Sequence, residues 1–294
     1  MDAYLQKFVA LVEAGSYTKA AANLHISQPA LSVAIAKLER TLKHILLTSA
    51  GRQGVVLSEA GKKVYAAALE HRAIDQNLRQ QLATMHDQKI PLRIGMIDSV
   101  ASLFCTQDEL LSDLETSTDF MLSVANSTSL RAALLADKLD LAVVVADQQY
   151  DATLSTVAST SDRLVLVCSQ SVHQVFQKNI TKGEPLPFIS YVSSSKTFET
   201  IATALSDAGI HTDVVLSSTS PEVMLAMVLR GRGAGLLPES LVQEHIAQGD
   251  LGRLAVGRTT FFVRRPLSVV KLKGRQLAPQ TDAFIEFVLD AGMA

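Results

Sequence analysis

The chain has 294 residues, 48% of them apolar and only 19% charged, so it has the material for two or three packed domains and is not a disordered chain. Lys and Arg number 27 against 29 acids, and the formal charge of −2 advertises neither nucleic acid nor a membrane surface. Two cysteines, Cys105 and Cys168, exclude a disulfide scaffold and any zinc site built on three or four thiolates.

No stretch approaches the roughly 18 consecutive apolar residues of a membrane span. The start, Met1 to Lys7, lacks a basic segment followed by a long apolar run. A soluble, cytoplasmic protein with no membrane partner is expected. Its charge is uneven: residues 1–62 hold seven basic and four acidic side chains, a surplus of +3, and the rest is −5. A small basic module on an acidic body is a cue for a polyanion-binding head, although such an imbalance is ordinary in 62 residues.

The pattern inside this head is sharper. Leu5, Phe8, Val9 and Val12 form the apolar stripe of a helix that Gly15 stops. Ser16 is placed to cap a short, alanine-rich second helix, Thr18 to Leu24. His25-Ile26 makes a tight turn. Ser27 then caps a third helix, with Pro29 in its first turn, where a missing N–H costs little. Leu31, Ile35, Leu38 and Leu42 form its buried stripe. This succession predicts a helix-turn-helix whose third helix offers its other face and its N-terminus to a major groove. Lys43 to Val56, with Gly51 and Gly54 around Arg52, reads as a β-ribbon wing. The candidate DNA-binding residues are Thr18, Lys19, Ser27, Gln28, Pro29, Ser32, Val33, Lys37 and Arg52. Solvation or capping explains each singly, and for Ser27 alone capping is the simpler account. The constellation favours double-stranded DNA.

The run Phe8…Gly15-Ser16-Tyr17-Thr18-Lys19-Ala20-Ala21…Leu24-His25-Ile26-Ser27-Gln28-Pro29-Ala30-Leu31-Ser32…Ile35…Leu38-Glu39…Leu42, closing on Leu57-Ser58-Glu59-Ala60-Gly61, closely resembles the LysR-type transcriptional regulators. There are departures. Lys43 stands where the family usually has Gly, and Leu47 and Ser49 stand where its wing usually has Phe and Arg. Val33 and Ala34 replace polar or basic residues, although an apolar side chain can touch a thymine methyl. These changes imply modest affinity and dependence on several half-sites.

From Ser58 to about Gln88 there is no proline, and Gly61 lies in the first turn. Val64, His71, Leu78 and Met85 recur every seven residues, with Ala68 and Leu82, or Ala67 and Ile74, on the same side. A helix of about 30 residues rises roughly 45 Å. With little to bury against in its own chain, it is expected to pair with a second copy rather than pack internally. The resemblance also implies a homodimer; a homotetramer follows from the resemblance alone. His71 on the seam reads more simply as packed than as a pH switch.

Past Pro91 come strand candidates Leu92–Ile97, Phe120–Ala125, Leu139–Val145, Leu164–Cys168, Phe188–Tyr191, Val214–Leu216, Gly235–Leu237 and Leu267–Leu272. Between them fall helix candidates Thr106–Leu114, Thr128–Leu135, Ser171–Gln177, Lys196–Asp207, Pro221–Arg230, Glu239–Gln248 and Gln280–Ala291. The alternation argues α/β. Leu139-Asp140-Leu141-Ala142-Val143 and Gly231-Arg232-Gly233-Ala234-Gly235 resemble elements of the regulatory part of the same family. The resemblance therefore implies an N-terminal winged helix-turn-helix at 1–61, a linker and dimerisation helix at 58–89, and an effector-binding body at 90–294. The body is expected as two α/β subdomains resembling periplasmic binding proteins, subdomain I at 90–162 and 267–294 and subdomain II at 163–266.

A small-molecule effector would sit between them, at strand C-termini and helix N-termini. The candidate effector residues are Asp98, Ser99, Val100, Ser127, Thr128, Ser129, Tyr191, Ser193, Ser194 and Phe198. Ser99, Ser127 and the Ser193–Ser195 loop correspond to the family's effector positions, while turn chemistry explains each singly. Asp98 would repel a carboxylate, which leaves a cationic or neutral effector open. The glycine turn lacks both phosphate-loop spacings. No GxSxG, HExxH or CxxC motif appears, and the seven histidines never fall at metal-ligand spacing, so no enzyme activity, cofactor or metal is expected. Cys105 and Cys168 are either a redox pair or, for Cys168, core. Two other readings stay open: a binding protein or enzyme whose head serves only assembly, and a regulator whose degenerate cleft answers to another protein.

Overall fold

The computed structural model describes residues 3–51, 54–84, 91–117, 119–146 and 153–291. The head comprises α1 (Ala3–Ala14), α2 (Tyr17–Asn23) and α3 (Gln28–Leu42), then β1 (Leu47–Gly51) and β2 (Gly54–Leu57). Its core is Phe8, Leu11, Ala20, Ala21, Leu31, Ile35, Leu38 and Leu46. Ala20 and Ala21 have almost no exposed surface, which brings α2 close against its neighbours. The Ser27 hydroxyl accepts the Ala30 N–H at 3.3 Å, the cap expected of it. The wing strands pair antiparallel with Gly51 opposite Gly54. The Glu39 carboxylate fixes the wing's entry by accepting the N–H groups of Leu46 and Leu47 at 2.8 and 3.3 Å.

Three local expectations are corrected. Ser16 occupies the N-cap of α2 but makes no side-chain cap bond. Leu42 is 38% exposed, so the buried stripe of α3 ends at Leu38, where the helix runs past the head's small core. Ala34 is buried beside Ile35, so only Val33 of that pair faces outward. Lys43 ends α3 at φ +56°, the left-handed conformation that glycine adopts without a Cβ penalty. Lys43→Gly is therefore expected to stabilise the protein by about 0.5–1 kcal/mol, read as a higher midpoint in urea unfolding.

The connector is α4 (Glu59–Thr84). The Ser58 hydroxyl caps it, accepting the Gly61 N–H at 2.9 Å and donating to the Ile45 carbonyl at 2.6 Å. The expectation that α4 finds little to bury in its own chain is corrected. Ala68, Leu69 and Ala73 are fully buried in the core of the body. Arg72 pairs with Glu13 of α1 at 2.9 Å and donates to the Leu135 carbonyl. Lys273 meets Glu70 at 3.1 Å, and Arg275 donates to Gln76 at 2.9 Å. The opposite side of α4 is uncovered: Ile74, Leu78 and Leu82 are 61%, 54% and 51% exposed, and His71 is exposed beside them. Met85 lies outside the described residues.

The body runs β3 (Leu92–Met96), α5 (Asp98–Phe104), α6 (Asp108–Ser117), β4 (Phe120–Val124), α7 (Ser127–Leu135), β5 (Leu141–Val145) and β6 (Leu154–Ser169). There follow α8 (His173–Lys182), β7 (Leu186–Tyr191), α9 (Lys196–Asp207), β8 (Thr212–Ser218), α10 (Pro221–Leu229), β9 (Ala234–Pro238) and α11 (Glu239–Ala247). The chain closes with β10 (Leu251–Arg253), β11 (Ala255–Val256), β12 (Thr259–Thr260), β13 (Phe262–Leu272) and α12 (Thr281–Ala291). One mixed sheet runs β4-β3-β5-β13-β6-β9-β7-β8, with β10 also on β6.

Each end of that sheet has its own core. One gathers Ile94, Met96, Phe104, Leu141, Val143 and Phe284, with Phe104 edge-on to Phe284 at 5.7 Å. The other gathers Leu166, Phe188, Ile189, Met224, Val228 and Leu236. Only the long antiparallel pair β6 and β13 runs through both, with Asp162 opposite Arg265 midway along the ladder. These two strands are the hinge between two α/β lobes. The sheet is parallel within each lobe and antiparallel at the hinge. The helix α5 was not anticipated, and β6 extends ten residues before the expected Leu164.

Candidate effector cleft and nucleic-acid interface

A cavity of about 310 Å³ opens between the lobes. Four helices point their first turns at it: α5 brings Asp98 and Ser99, α7 brings Ser127 and Ser129, α9 brings Thr197, and α10 brings Pro221. Tyr191, from the end of β7, Ser194 and Ser195 from the loop after it, and Arg265 from the hinge complete the polar wall with Asn126 and Thr219. Strand C-termini place side chains at this edge, and helix N-termini supply free N–H groups there.

Arg265 organises the site. Its side chain is 2% exposed. Nε donates to Asp162 Oδ1 at 2.9 Å, and Nη2 donates to Asp162 Oδ2 and, at 2.7 Å, to Ser99 Oγ. Nη1 donates to Thr197 Oγ1 at 3.2 Å. One guanidinium thus holds the hinge, the first lobe through Ser99 and the second through Thr197. Burial alone would depress its pKa, but the Asp162 carboxylate more than compensates and holds it above the ordinary arginine value. A second link crosses the cleft: Ser102 of α5 donates to Glu222 of α10, which also accepts the Ser220 hydroxyl at 2.7 Å. Burial pushes the Glu222 carboxyl up, yet these hydrogen bonds hold it below the usual range.

Two hydroxyls have spare capacity. Ser127 Oγ accepts the Val145 N–H at 3.0 Å, which leaves its proton to offer. Tyr191 is 5% exposed, and its hydroxyl faces the Arg265 guanidinium without completing a well-formed hydrogen bond to it. Burial pushes that phenol up to about 12, so it is a neutral donor. A buried polar atom without a partner costs stability, and in a cavity it is most simply explained as a ligand contact.

Of the ten effector candidates, the structure brings Asp98, Ser99, Ser127, Ser129, Tyr191 and Ser194 together. The other four are not brought to the cavity wall. Val100 turns into the first lobe's core, because the unanticipated α5 rotates it away from its neighbours. Phe198 packs on the second lobe's core and lines a separate depression with Phe188 and His211. Thr128 and Ser193 point to solvent. Sequence reasoning missed Arg265, Asp162 and Thr197. Asn126 rather than Ser127 caps α7, accepting the Ser129 N–H at 2.9 Å. The available signal for Arg265 was an arginine between Val263 and Leu267 in a β-rich run.

On the head, Thr18, Lys19, Ser27, Gln28, Pro29, Ser32, Val33 and Lys37 are all exposed, and Val33 is 64% so. Lys37 is engaged within the head: Nζ donates to the Tyr4 hydroxyl at 2.8 Å and lies 4.7 Å from its ring centre. Arg40 and Lys43, not among the DNA-binding candidates from sequence, share the Val33 side of α3. Arg52 lies outside the described residues.

Cys105 is exposed, and Cys168 is a separate, buried thiol that burial pushes up to about 12, far from a reactive thiolate. Among the described residues, no three His, Cys, Asp or Glu side chains gather as metal ligands, and no helix is long and apolar enough to cross a membrane.

A helix-turn-helix head carried by a long helix on a hinged, two-lobed body defines a ligand-responsive DNA-binding regulator. Residues 3–62 match the bacterial regulatory helix-turn-helix proteins of the lysR family, and residues 88–292 match the LysR substrate-binding domain. The chain belongs to the LysR family of transcriptional regulators. It is 26% identical to the RuBisCO operon transcriptional regulator of Allochromatium vinosum, over 97% of this chain and 94% of that one. It is 27% identical to the nitrogen assimilation regulatory protein nac of Klebsiella aerogenes, over 97% and 93%. Among solved structures, ArgP from Mycobacterium tuberculosis superposes with a TM-score of 0.68 at 17% identity, covering 99% of this chain and 97% of the other. LysG from Corynebacterium glutamicum with bound effector Arg gives 0.64 at 17%, covering 100% and 98%.

Proposed function

We propose that this regulator binds double-stranded promoter DNA as a homodimer, and that a small molecule in the hinge cleft sets its activity. The carrying observation is Arg265, whose guanidinium touches the hinge strand and both lobes at the wall of the cavity. An occupant that draws on Ser99 or Thr197 alters the contacts fixing the angle between lobes. A ligand shifts such an equilibrium by its differential affinity for the two arrangements. The first lobe is joined to the head through Arg72, which bonds Leu135 at the far end of α7 and Glu13 in α1. The uncovered Ile74, Leu78 and Leu82 row on α4 suits a second copy of the same helix. The family resemblance extends this to a homotetramer acting in the cytoplasm.

In the groove, Gln28 and Ser32 read base edges and Val33 meets a thymine methyl, while Thr18, Lys19, Arg40 and Arg52 hold phosphates. Ser27 and Pro29 set the helix start, and Lys37 positions α3 on α1. Mobility-shift titrations with DNA from upstream of its own coding sequence test this. Gln28→Ala is expected to cut discrimination against random DNA by about tenfold. Arg52→Ala is expected to weaken binding to all sequences and reduce the salt slope by about 1. Equal losses of discrimination in both variants would contradict these roles.

A further inference from the structure

We propose, on the reading of the hinge cleft as the effector site, that its ligand is a small molecule carrying a protonated amine, and that Asp98 receives that amine. Among the described residues lining the cavity, Asp98 is the one acid and Arg265 the one base. The base is already neutralised. Asp162 takes two of its N–H groups, and Ser99 and Thr197 take two more. Arg265 therefore offers no free fork for a ligand carboxylate. Among the described residues, no cation faces Asp98. Its strongest charged neighbour is Glu222, one residue beyond Pro221 of the wall and kept ionised by the Ser102 and Ser220 hydroxyls.

Among the described residues lining it, the cleft thus carries a negative charge on Asp98 that no facing cation balances. Burial first, and then the like charge of Glu222, pushes the Asp98 carboxyl above its ordinary value, so a cation placed beside it would stabilise its charged form. A second observation bears on the same cavity. The buried Tyr191 hydroxyl completes no well-formed hydrogen bond, with the Arg265 charge nearest in effect and the carboxylates of Asp162, Glu222 and Asp98 opposing it. An ammonium at Asp98 puts the rest of its ligand against Tyr191 and the hydroxyls of Ser127, Ser129 and Ser194. These groups, with the free N–H groups at the start of α7, suit a neutral or anionic oxygen on the same molecule. The volume, about 310 Å³, lies at the small end of ligand pockets, which run from roughly 300 to 1,000 Å³, and suits a small metabolite.

The test is thermal unfolding of the full-length protein with 1,5-diaminopentane, L-lysine and glutarate at matched concentrations. At least one of the two amines is expected to raise the unfolding temperature, and glutarate is not. Asp98→Asn, isosteric and half-buried, is expected to fold and to weaken amine binding by about tenfold or more. Ser129→Trp, an exposed position on the cavity wall, is expected to block it. Stabilisation by glutarate that Ser129→Trp abolishes would overturn the amine assignment and leave the cleft as the effector site. Amine stabilisation that survives Ser129→Trp would overturn both. No shift with either amine, or amine binding unchanged in Asp98→Asn, would overturn the proposal.

Discussion

Replacing Arg265 by methionine is expected to lower the unfolding free energy of the full-length protein by about 3 kcal/mol, and adding Asp162→Leu is expected to restore most of that loss. Methionine fills the aliphatic path of the arginine, so the loss is electrostatic rather than a cavity. It strands the Asp162 carboxylate, whose side chain is 18% exposed, without its bidentate partner. Removing one partner of a buried pair costs about 3–5 kcal/mol, and the residual access of Asp162 to water puts this case at the low end. Removing both charges also removes the cost of desolvating them, so the double variant is less damaged than the single one. Urea unfolding of the four proteins in the cycle measures the coupling. Additive losses would show that Arg265 stabilises through packing and not through Asp162. The Arg265→Met variant also frees Ser99 and Thr197 from their shared donor, so it is expected to uncouple ligand binding from DNA affinity even where both persist.

What the sequence showed of this site, and what it hid, follows from how each residue is held. The head was legible because its signals are local: a cap at Ser27, small residues at Ala20 and Ala21, and an apolar period along α3. Lys196–Asp207 was legible to the residue because Ser195 caps it at one end, accepting the Thr197 N–H at 3.2 Å, and the helix is strongly amphipathic. The hinge was not. From Ser155 to Asp162, β6 is almost entirely polar, with no alternation to announce a strand. It is a strand because β13 pairs with this stretch, through one register shift at Val157, a contact about a hundred residues away in the chain. The Arg265–Asp162 pair lives on that same long-range ladder, so no window of sequence contains it. The helix α4 was half legible. Of its predicted seam, Val64 packs on the head and Ala68 joins Leu69 and Ala73 in the chain's own lobe, while His71, Ile74, Leu78 and Leu82, on the opposite side, are uncovered.

Gly61→Ala is expected to destabilise the junction between head and connector by at least about 2 kcal/mol. Intrinsic propensity alone predicts the opposite, because alanine in a helix is about 1 kcal/mol better than glycine. The geometry decides the sign. A Cβ at Gly61 would stand 2.1 Å from the Leu46 carbonyl oxygen and 3.2 Å from Leu57 Cδ2. The carbonyl has nowhere to go. It accepts the Ser58 N–H at 2.9 Å, and the Leu46 amide on its other side is held by Glu39 at 2.8 Å. Leu46 itself is fully buried in the head's core. Making room therefore means breaking the cap of α4, or the Glu39 anchor that aims the wing, or both. Either loss loosens the head against the helix that carries it, so DNA affinity is expected to fall along with the unfolding midpoint. Urea unfolding and mobility-shift titration of the same preparation measure the two effects together. A neutral or stabilising Gly61→Ala, with DNA binding intact, would mean that the wing and connector yield independently and that the head is not rigidly seated on α4.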